Sequence, residues 1–373
     1  MTRPMKVDAV IAGGGLSGLS LAAHLATGGW ADRTVLIVDD PGATPPATRW
    51  GFWSAGTDLL DAAVSRTYRQ VRIRAAGADR ILPLGRYRYH VVHRPDLYRV
   101  VRSLVAPGYR FVPGRVTRID GGEVTIDGRT VHADWVFDSI TAPPPGTPAD
   151  ARLAFTGWEV HCARPVFEPD TPVLFDFRTP QQCNARFVYV LPDDPYRALV
   201  ELTAFVPRHA RPPTPAERTE ALAGYLATPG DYTVLGTESA ILPLRSRAPA
   251  RGTGRVLRIG ARGGLVKAST GYAYQRIQRD SAAIAESLAR HGHPFALPRT
   301  PPRYRLLDAV LLDVLRREPA RLEEAFARLF AANPAERVLR FLDEDTRVPD
   351  EARLIASLPP VPYLRALARH PWR

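Results

Sequence analysis

DAVIAGGGLSGLSLAAHL, residues 8–25, is the stretch from which the rest of the chain can be read. A short apolar run, Ala9-Val10-Ile11, meets Gly13-Gly14-Gly15, then Leu16-Ser17-Gly18, and passes into an Ala/Leu pattern. Strand, glycine turn and helix follow in the order a dinucleotide fingerprint requires. Gly13 permits the tight turn, Gly15 lets a pyrophosphate approach the backbone, and Gly18 lets the helix pack close on the strand. The N–H groups that open the helix, at Leu16 and Ser17, would face the phosphates with the helix dipole behind them. A second apolar run, Val35-Leu36-Ile37-Val38, ends in Asp39. That acid lies roughly 20 residues past the glycines, where a ribose hydroxyl is held. A lone glycine motif is weak; with strand, helix and acid in place it is strong.

The chain has 373 residues, 45% of them apolar, which suits a globular body of two domains. No apolar run approaches the roughly 18 residues of a spanning helix. The first residues run straight into the first strand, so no signal peptide is expected. Cys162 and Cys183 have no metal-ligand spacing and read as idle thiols; no metal site is expected. The net charge is +12, and Lys6 and Lys267 are the only lysines. Such an arginine excess favours an anionic surface. No zinc finger, helix-turn-helix or basic-aromatic repeat points to nucleic acid, which leaves an anionic membrane leaflet as the expected partner. The expected location is the cytoplasm, with peripheral membrane association.

Further along, Trp50, Phe52 and Trp53 fall within RWGFW (Arg49–Trp53) and read as a π-rich wall beside the cofactor or as core filling. Residues 70–92 alternate and predict antiparallel strands. A helix is expected over Arg94–Val105. A small meander follows in Val112–Ile119, Glu123–Ile126 and Thr130–His132, and Trp135–Asp138 returns as a buried strand. The proline-rich stretch 143–148 is a boundary. Strands then recur at Phe155–Cys162, Val173–Phe177, Arg186–Leu191 and Ala198–Phe205, and two more within Tyr232–Leu244. The strand Val256–Ile259 ends in Gly260 and leads through Gly264 to Ser269-Thr270-Gly271-Tyr272 and a helix, with Tyr274 in its first turn. Residues 303–373 carry helical periodicity broken by prolines. The expected architecture is α/β (mixed α+β). A Rossmann-like domain comprises 1–150 and 250–300, an antiparallel-sheet substrate domain 151–249, and a helical lid or membrane-facing region 301–373.

Glu201 stands alone on an intensely apolar strand, Ala198–Phe205. Burial disfavours the anion and would keep such an acid protonated. The plainer readings are a solvent-facing glutamate or a partner to arginine. For Glu238 an arginine partner is an equally good reading.

With these motifs placed, the chain resembles the lycopene cyclase family of flavoproteins, of bacterial β-cyclase type. GGGLSGLSLA, RWGFW, DFRTPQ (Asp176–Gln181), RFVYVLP (Arg186–Pro192), LVELTAF (Leu199–Phe205), ESAILPL (Glu238–Leu244), IGARGGLVKASTGYAYQRIQR (Ile259–Arg279) and RVLRFLDE (Arg337–Glu344) carry the likeness nearly end to end. The resemblance implies FAD, active when reduced, with NADPH as the electron donor. It implies non-redox, acid-catalysed closure of the acyclic ends of lycopene into β-ionone rings. Glu201 would be the acid of the Glu-x-Thr motif, with Thr203 beside it and Glu238 the next candidate. Gly13, Gly15, Leu16, Ser17, Gly18, Asp39, Gly260, Gly264, Thr270, Gly271 and Tyr272 would hold the cofactor. Trp50, Phe52, Trp53 and Tyr274 would line the pocket of an apolar polyene. Three features depart from the expected pattern: Leu202 stands where many members carry a second acid, Lys267-Ala268 precedes the Ser-Thr-Gly-Tyr turn, and Arg262 lies in the second glycine motif, where many flavoproteins carry Asp or a small residue. Alternative readings are the same chemistry on another polyprenyl or terpenoid substrate, or a FAD-dependent monooxygenase or isoprenoid reductase.

Overall fold

The computed structural model describes residues 5–42, 48–75, 77–141, 149–181, 185–227 and 230–370. The boundary read at 143–148, and Cys183, lie outside them. In chain order the first elements are β1 (Met5–Ala12), α1 (Leu16–Thr27), β2 (Val35–Asp39), β3 (Arg49–Ser54), β4 (Val64–Tyr68), β5 (Gln70–Ala75), β6 (Ala78–Pro83) and β7 (Arg88–His93). There follow α2 (Arg94–Leu104), β8 (Tyr109–Pro113), β9 (Val116–Asp120), β10 (Glu123–Ile126), β11 (Arg129–Asp138), β12 (Ala151–Cys162), β13 (Val173–Asp176), β14 (Ala185–Pro192) and β15 (Arg197–Pro207). The chain continues with α3 (Pro215–Leu226), β16 (Tyr232–Leu244), β17 (Gly252–Thr253), β18 (Val256–Arg258) and α4 (Tyr274–His291). It closes with α5 (Pro302–Arg317), α6 (Arg321–Ala332), α7 (Ala335–Leu342), α8 (Val348–Ala356) and α9 (Pro360–Arg369).

The first sheet runs β17-β18-β11-β1-β2-β8, and the strands from β18 to β8 are parallel. Both faces of β1 and β2 are covered, so both read as continuous apolar runs. Ile11, Ile37 and Phe137 face the core under α1 and α4; Val10, Leu36 and Val136 face a separate core under the β9–β10 hairpin. Two of the expected breaks in this region differ. Thr130–His132 and Trp135–Asp138 are one strand, β11, because β1 pairs with it from Met5↔Val131 to Ala12↔Asp138. Val112–Ile119 is split, since β8 pairs with β2 in the parallel sheet while β9 turns off to pair with β10.

The second sheet runs β16-β12-β15-β14-β13-β5-β6. It draws β5 and β6 from residues 70–83, a stretch that reads locally as part of the nucleotide half. β5 joins parallel to β13, with Arg74 opposite Asp176. Tyr232–Leu244, expected as two strands, is the single edge strand β16. Its partner β12 accommodates it through a bulge, Glu159 opposing Gly236 and Val160 opposing Val234. Pro243 is tolerated there because an edge strand can spare an N–H. β3, β7 and β4 form a small sheet between the two large ones.

The C-terminal helices cover the inner face of the second sheet. Leu322, Phe326, Leu329 and Phe330 of α6 and Val338, Leu339 and Leu342 of α7 share one core with Phe175, Leu191, Leu199 and Phe205. Among the described residues no helix is long and apolar enough to cross a membrane.

Candidate active site

The glycine turn has the geometry its sequence demands. Gly13 adopts φ +109°, and a Cβ there would stand 2.2 Å from the Ser139 hydroxyl. A Cβ on Gly18 would stand 1.9 Å from the Gly13 carbonyl oxygen, so α1 sits directly against the turn. Gly15, the residue before α1, has nothing within 4 Å of the same position. Open space at a helix N-terminus, where the first N–H groups lack intrahelical partners, suits a phosphate. Asp39 accepts from the Gly14 N–H at 3.0 Å and pairs with Arg94, which braces the turn from the end of β2.

From Leu16 and Ser17 at the start of α1, a cavity of about 340 Å³ reaches across to the second sheet. Trp50, Gly51, Ala261 and the loop 269–274 line it near α1; Phe155, Phe175, Phe187, Leu199, Phe205, Leu322 and Phe326 make its apolar walls. Glu201, Thr203 and Glu238 line it as well. The nucleotide turn and the carboxyl groups therefore share one chamber.

Strand register explains how the carboxyl groups meet. Tyr189 pairs with Glu201 across β14–β15, Glu201 with Gly157 across β15–β12, and Gly157 with Glu238 across β12–β16. The four residues form one rung, and side chains of a rung share a face. Gly157 separates the two glutamates. A Cβ on it would stand 3.1 Å from the Glu238 Cγ and 3.2 Å from its Oε1. The missing side chain lets Glu238 lean over β12 toward Glu201.

Thr203 lies two residues along the same face as Glu201 and donates its hydroxyl to Glu201 Oε1 at 2.8 Å. Burial, then the Glu238 charge, pushes the Glu201 carboxyl up to about 8, against the Thr203 bond. Burial also raises Glu238, to about 7, while the Arg49 charge and backbone N–H oppose the rise. Arg49 itself is held by Glu159 at 3.0 Å and Asp193 at 2.9 Å. The two carboxyl groups titrate as a pair. With Arg49 favouring the anion at Glu238, the shared proton belongs at Glu201. Among the described residues no salt bridge reaches either glutamate, so the arginine partner considered for each from sequence is not formed.

Leu202 points the other way. It packs with Val188, Val200, Leu222 and Leu226 beneath α3. Strand alternation puts residue 202 outside the chamber, so an acid there would not face it.

The aromatic cluster on β3 divides between the chamber and the two cores. Trp50 lines the chamber. Phe52 is buried in the nucleotide-side core and stacks on Tyr274 at 3.9 Å, and Trp53 is buried edge-on to Tyr272 at 4.4 Å. Phe52 and Trp53 are thus supports for Tyr274 and Tyr272, which line the chamber, rather than walls themselves. Gly51 makes room for two hydroxyls, since its Cβ would stand 1.9 Å from the Tyr89 oxygen and 2.5 Å from that of Tyr189. Burial holds the Tyr89 and Tyr272 hydroxyls well above the ordinary phenol value.

The Ser-Thr-Gly-Tyr turn lies just before α4. The helix begins at Tyr274 after Ala273, so neither Ser269 nor Thr270 caps it. Ser269 instead donates to Asp308 at 2.7 Å, and the Thr270 hydroxyl accepts from the Tyr272 N–H at 3.4 Å. Lys267, buried, reaches Asp308 at 2.9 Å and Glu344 at 3.0 Å, tying the loop to α5 and the end of α7. Gly271 (φ +81°) faces Leu153, and Gly260 (φ +58°) packs against the Ser17 hydroxyl; Gly264 faces Pro249 and does not line the chamber. Among the described residues no group of three or more His, Cys, Asp or Glu could hold a metal ion.

Residues 8–368 match the model of the family described as lycopene cyclase protein. The chain belongs to the lycopene cyclase family. It is 27% identical over 372 residues to an uncharacterized carotenoid cyclase of Deinococcus radiodurans, covering 92% of this chain and 87% of that one. It is 30% identical over 281 residues to the lycopene beta-cyclase of Pantoea ananas, covering 72% and 68%. Among solved structures, a geranylgeranyl bacteriochlorophyll reductase-like protein of Thermoplasma acidophilum superposes with a TM-score of 0.63 at 14% identity, covering 98% and 100% of the two chains. A flavin-dependent brominase superposes equally well, with a TM-score of 0.63 at 14% identity over 98% and 99%. At such identities the shared feature is the fold, a Rossmann-type flavoenzyme architecture with a helical C-terminal region. Gly157, Tyr189 and Tyr89 were not singled out as site residues from the sequence, nor was the place of Leu322 and Phe326 in the chamber wall. A single glycine inside the strand pattern FTGWEV was the available hint of a close approach.

Proposed function

We propose that the chain is a lycopene β-cyclase that protonates an acyclic end of lycopene and closes it to a β-ionone ring. The supporting observation is the single chamber joining the α1 N-terminus to the carboxyl pair of Glu201 and Glu238. Leu16, Ser17, the backbone at Gly13–Gly15 and Asp39 fit the pyrophosphate and ribose of FAD, with Gly260, Thr270, Gly271 and Tyr272 toward its ring. When bound, reduced FAD, with NADPH as its electron donor, would supply negative charge to the site and no net electrons.

The protein groups divide the remaining work. Glu201 holds a proton near neutral pH and delivers it to the terminal alkene; the cation closes the ring and a proton then leaves the carbon next to the cationic centre, so the reaction is a net isomerisation. Thr203 occupies one oxygen of that carboxyl and orients the other. Glu238 stays the anion of the pair, repels charge from Glu201 and draws the transferred positive charge toward the sheet. Trp50 and Tyr274 present π-faces, each worth about 0.5–2 kcal/mol to a cation. Phe155, Phe175, Phe187 and Phe326 exclude water that would otherwise trap the cation as an alcohol. Peripheral contact with an anionic bilayer follows from an apolar polyene substrate and from the arginine excess.

The test is expression in cells that accumulate lycopene. New cyclic carotenes, with no stoichiometric NADPH consumption, support the reading. A well-folded, flavin-containing protein that leaves lycopene unchanged overturns it in favour of another polyprenyl substrate. NADPH consumed once per turnover would favour a reductase or monooxygenase. Gly18→Val should yield protein without flavin, since its side chain would collide with the Gly13 carbonyl; a yellow purified variant would contradict the fingerprint.

A further inference from the structure

The outer face of the second sheet carries a second cavity, a groove of about 960 Å³ between α3 and strands β5, β13 and β14. Arg178, Thr179 and Pro180 of DFRTPQ and Arg186, Val190 and Pro192 of RFVYVLP line it, and nothing in the proposed chemistry uses these residues. Four arginines line the groove. Three are neutralised. Arg72 pairs with Asp79 at 2.9 Å and with Glu168. Arg74 reaches Asp79 at 3.0 Å and Asp176 at 3.2 Å. Arg178 grips the fully buried Asp176 through Nε at 2.9 Å and Nη2 at 2.8 Å, and Tyr225 donates to the same carboxylate at 3.0 Å.

Arg186 is different. Its residue is 3% exposed, it lines the groove, and its Nε has no hydrogen-bond partner. Among the described residues no carboxylate pairs with it. Glu217, on the facing helix, is engaged by Arg211 and by the cap of α3. Glu220 of the same helix is exposed and makes no ion pair with any described residue. Beside Arg186, the hydroxyl of Thr179 is likewise buried, lines the groove and has no partner. Gln181 holds the two segments together: its side-chain amide donates to the carbonyls of Thr179 and Arg186 at 2.9 and 2.8 Å. A buried guanidinium without a counter-charge is costly, and two orphaned polar groups side by side in one cavity call for a ligand.

The ligand's chemistry follows from the donors and the walls. A guanidinium fork with an adjacent hydroxyl matches the oxygens of a phosphate. The groove is far larger than one phosphate, and Phe167, Val173, Val190 and Leu226 line it too. We propose that this groove is a second ligand site, taking a phosphate group carried on an apolar chain, with Arg186 and Thr179 as its phosphate contacts. It lies across the sheet from the carboxyl chamber and does not depend on the function proposed for that chamber.

The test is calorimetric titration of the purified full chain with monomeric dihexanoyl phosphatidic acid and, separately, with inorganic phosphate. The expected result is saturable binding of the lipid, at least tenfold tighter than of inorganic phosphate. Arg186→Gln should weaken lipid binding at least tenfold, and Thr179→Val a few-fold. Arg186→Met, which removes the unpaired charge, should abolish binding and raise the melting temperature of the ligand-free protein. No saturable binding of the lipid, or unchanged binding in a folded Arg186→Gln or Thr179→Val variant, would overturn the site. Equal affinity for inorganic phosphate would overturn the apolar half of the proposal.

Discussion

The two faces of the second sheet are built from the same strands and do opposite things with charge. On β15 the odd residues Leu199, Glu201, Thr203 and Phe205 face the chamber, and the even residues Val200, Leu202 and Ala204 pack outward. Inside, two carboxyl groups stand without a salt bridge in apolar surroundings, and their affinity for protons rises. Outside, Asp176 sits among Arg74, Arg178 and Tyr225; although burial alone would raise it, the Arg178 bonds hold it below the usual carboxylate value. Burial is common to both faces, and the difference is the partner. A buried acid given an arginine is a strut; a buried acid given another acid is a proton store.

The largest expected effect tests that store. Glu201→Gln should lower cyclisation by about 10²–10⁴, the usual contribution of a positioned acid, with flavin retained. A variant within tenfold of the parent would break the distinction between the faces. The same substitution carries a stability signature. The carboxyl of Glu201 is raised from 4.5 to about 8 by folding, so the native state binds the extra proton and stability falls as pH rises between those values. Thermal melts at pH 8–9 should therefore show Glu201→Gln to be at least as stable as the parent. Parent activity should decline over the upper part of that range as the pair loses its proton.

Next comes the outward neighbour. Leu202→Ala should cost about 2–5 kcal/mol of stability through the cavity it leaves under α3, with kcat of the folded protein unchanged. A selective loss of kcat would mean that residue 202 acts in the chamber after all. Gly157→Ala should reduce activity about tenfold with little change in melting temperature, because the new methyl pushes Glu238 away from Glu201. An unchanged pH–rate profile in this variant would separate Glu238 from the chemistry. The smallest effect belongs to Thr203→Val, which removes one hydrogen bond worth about 0.5–1.5 kcal/mol. That bond favours the Glu201 anion, so its loss should move the alkaline limb of the profile to higher pH; a shift to lower pH would refute the assigned direction.

How much of this was legible beforehand varied with sequence distance. The glycine turn, Asp39 and α1 lie within one local unit, and strand, turn and helix fall where the sequence puts them. Most strands of the second sheet were visible as alternating runs. The membership of β5 and β6 in that sheet was not, because it depends on a parallel pairing with β13 about a hundred residues on. Tyr232–Leu244 was misread as two strands because Gly236 and Pro243 break the pattern, whereas a bulge and an edge position absorb them. The Ser-Thr-Gly-Tyr turn is fastened from outside, by Lys267 and Asp308, a partner that no local pattern encodes.

By itself the sequence determined the strand, glycine turn and helix, the family and the identity of Glu201 as an acid in greasy surroundings, since these rest on short-range backbone geometry and on composition. Only the tertiary structure decided which acid stands beside it. Register across β15, β12 and β16 brings Glu238 opposite Glu201, Gly157 clears the space between them, and parity turns Leu202 away. Strand pairing joins residues by hydrogen bonds along the sheet rather than along the chain, so the proton-holding pair exists only once the sheet has formed.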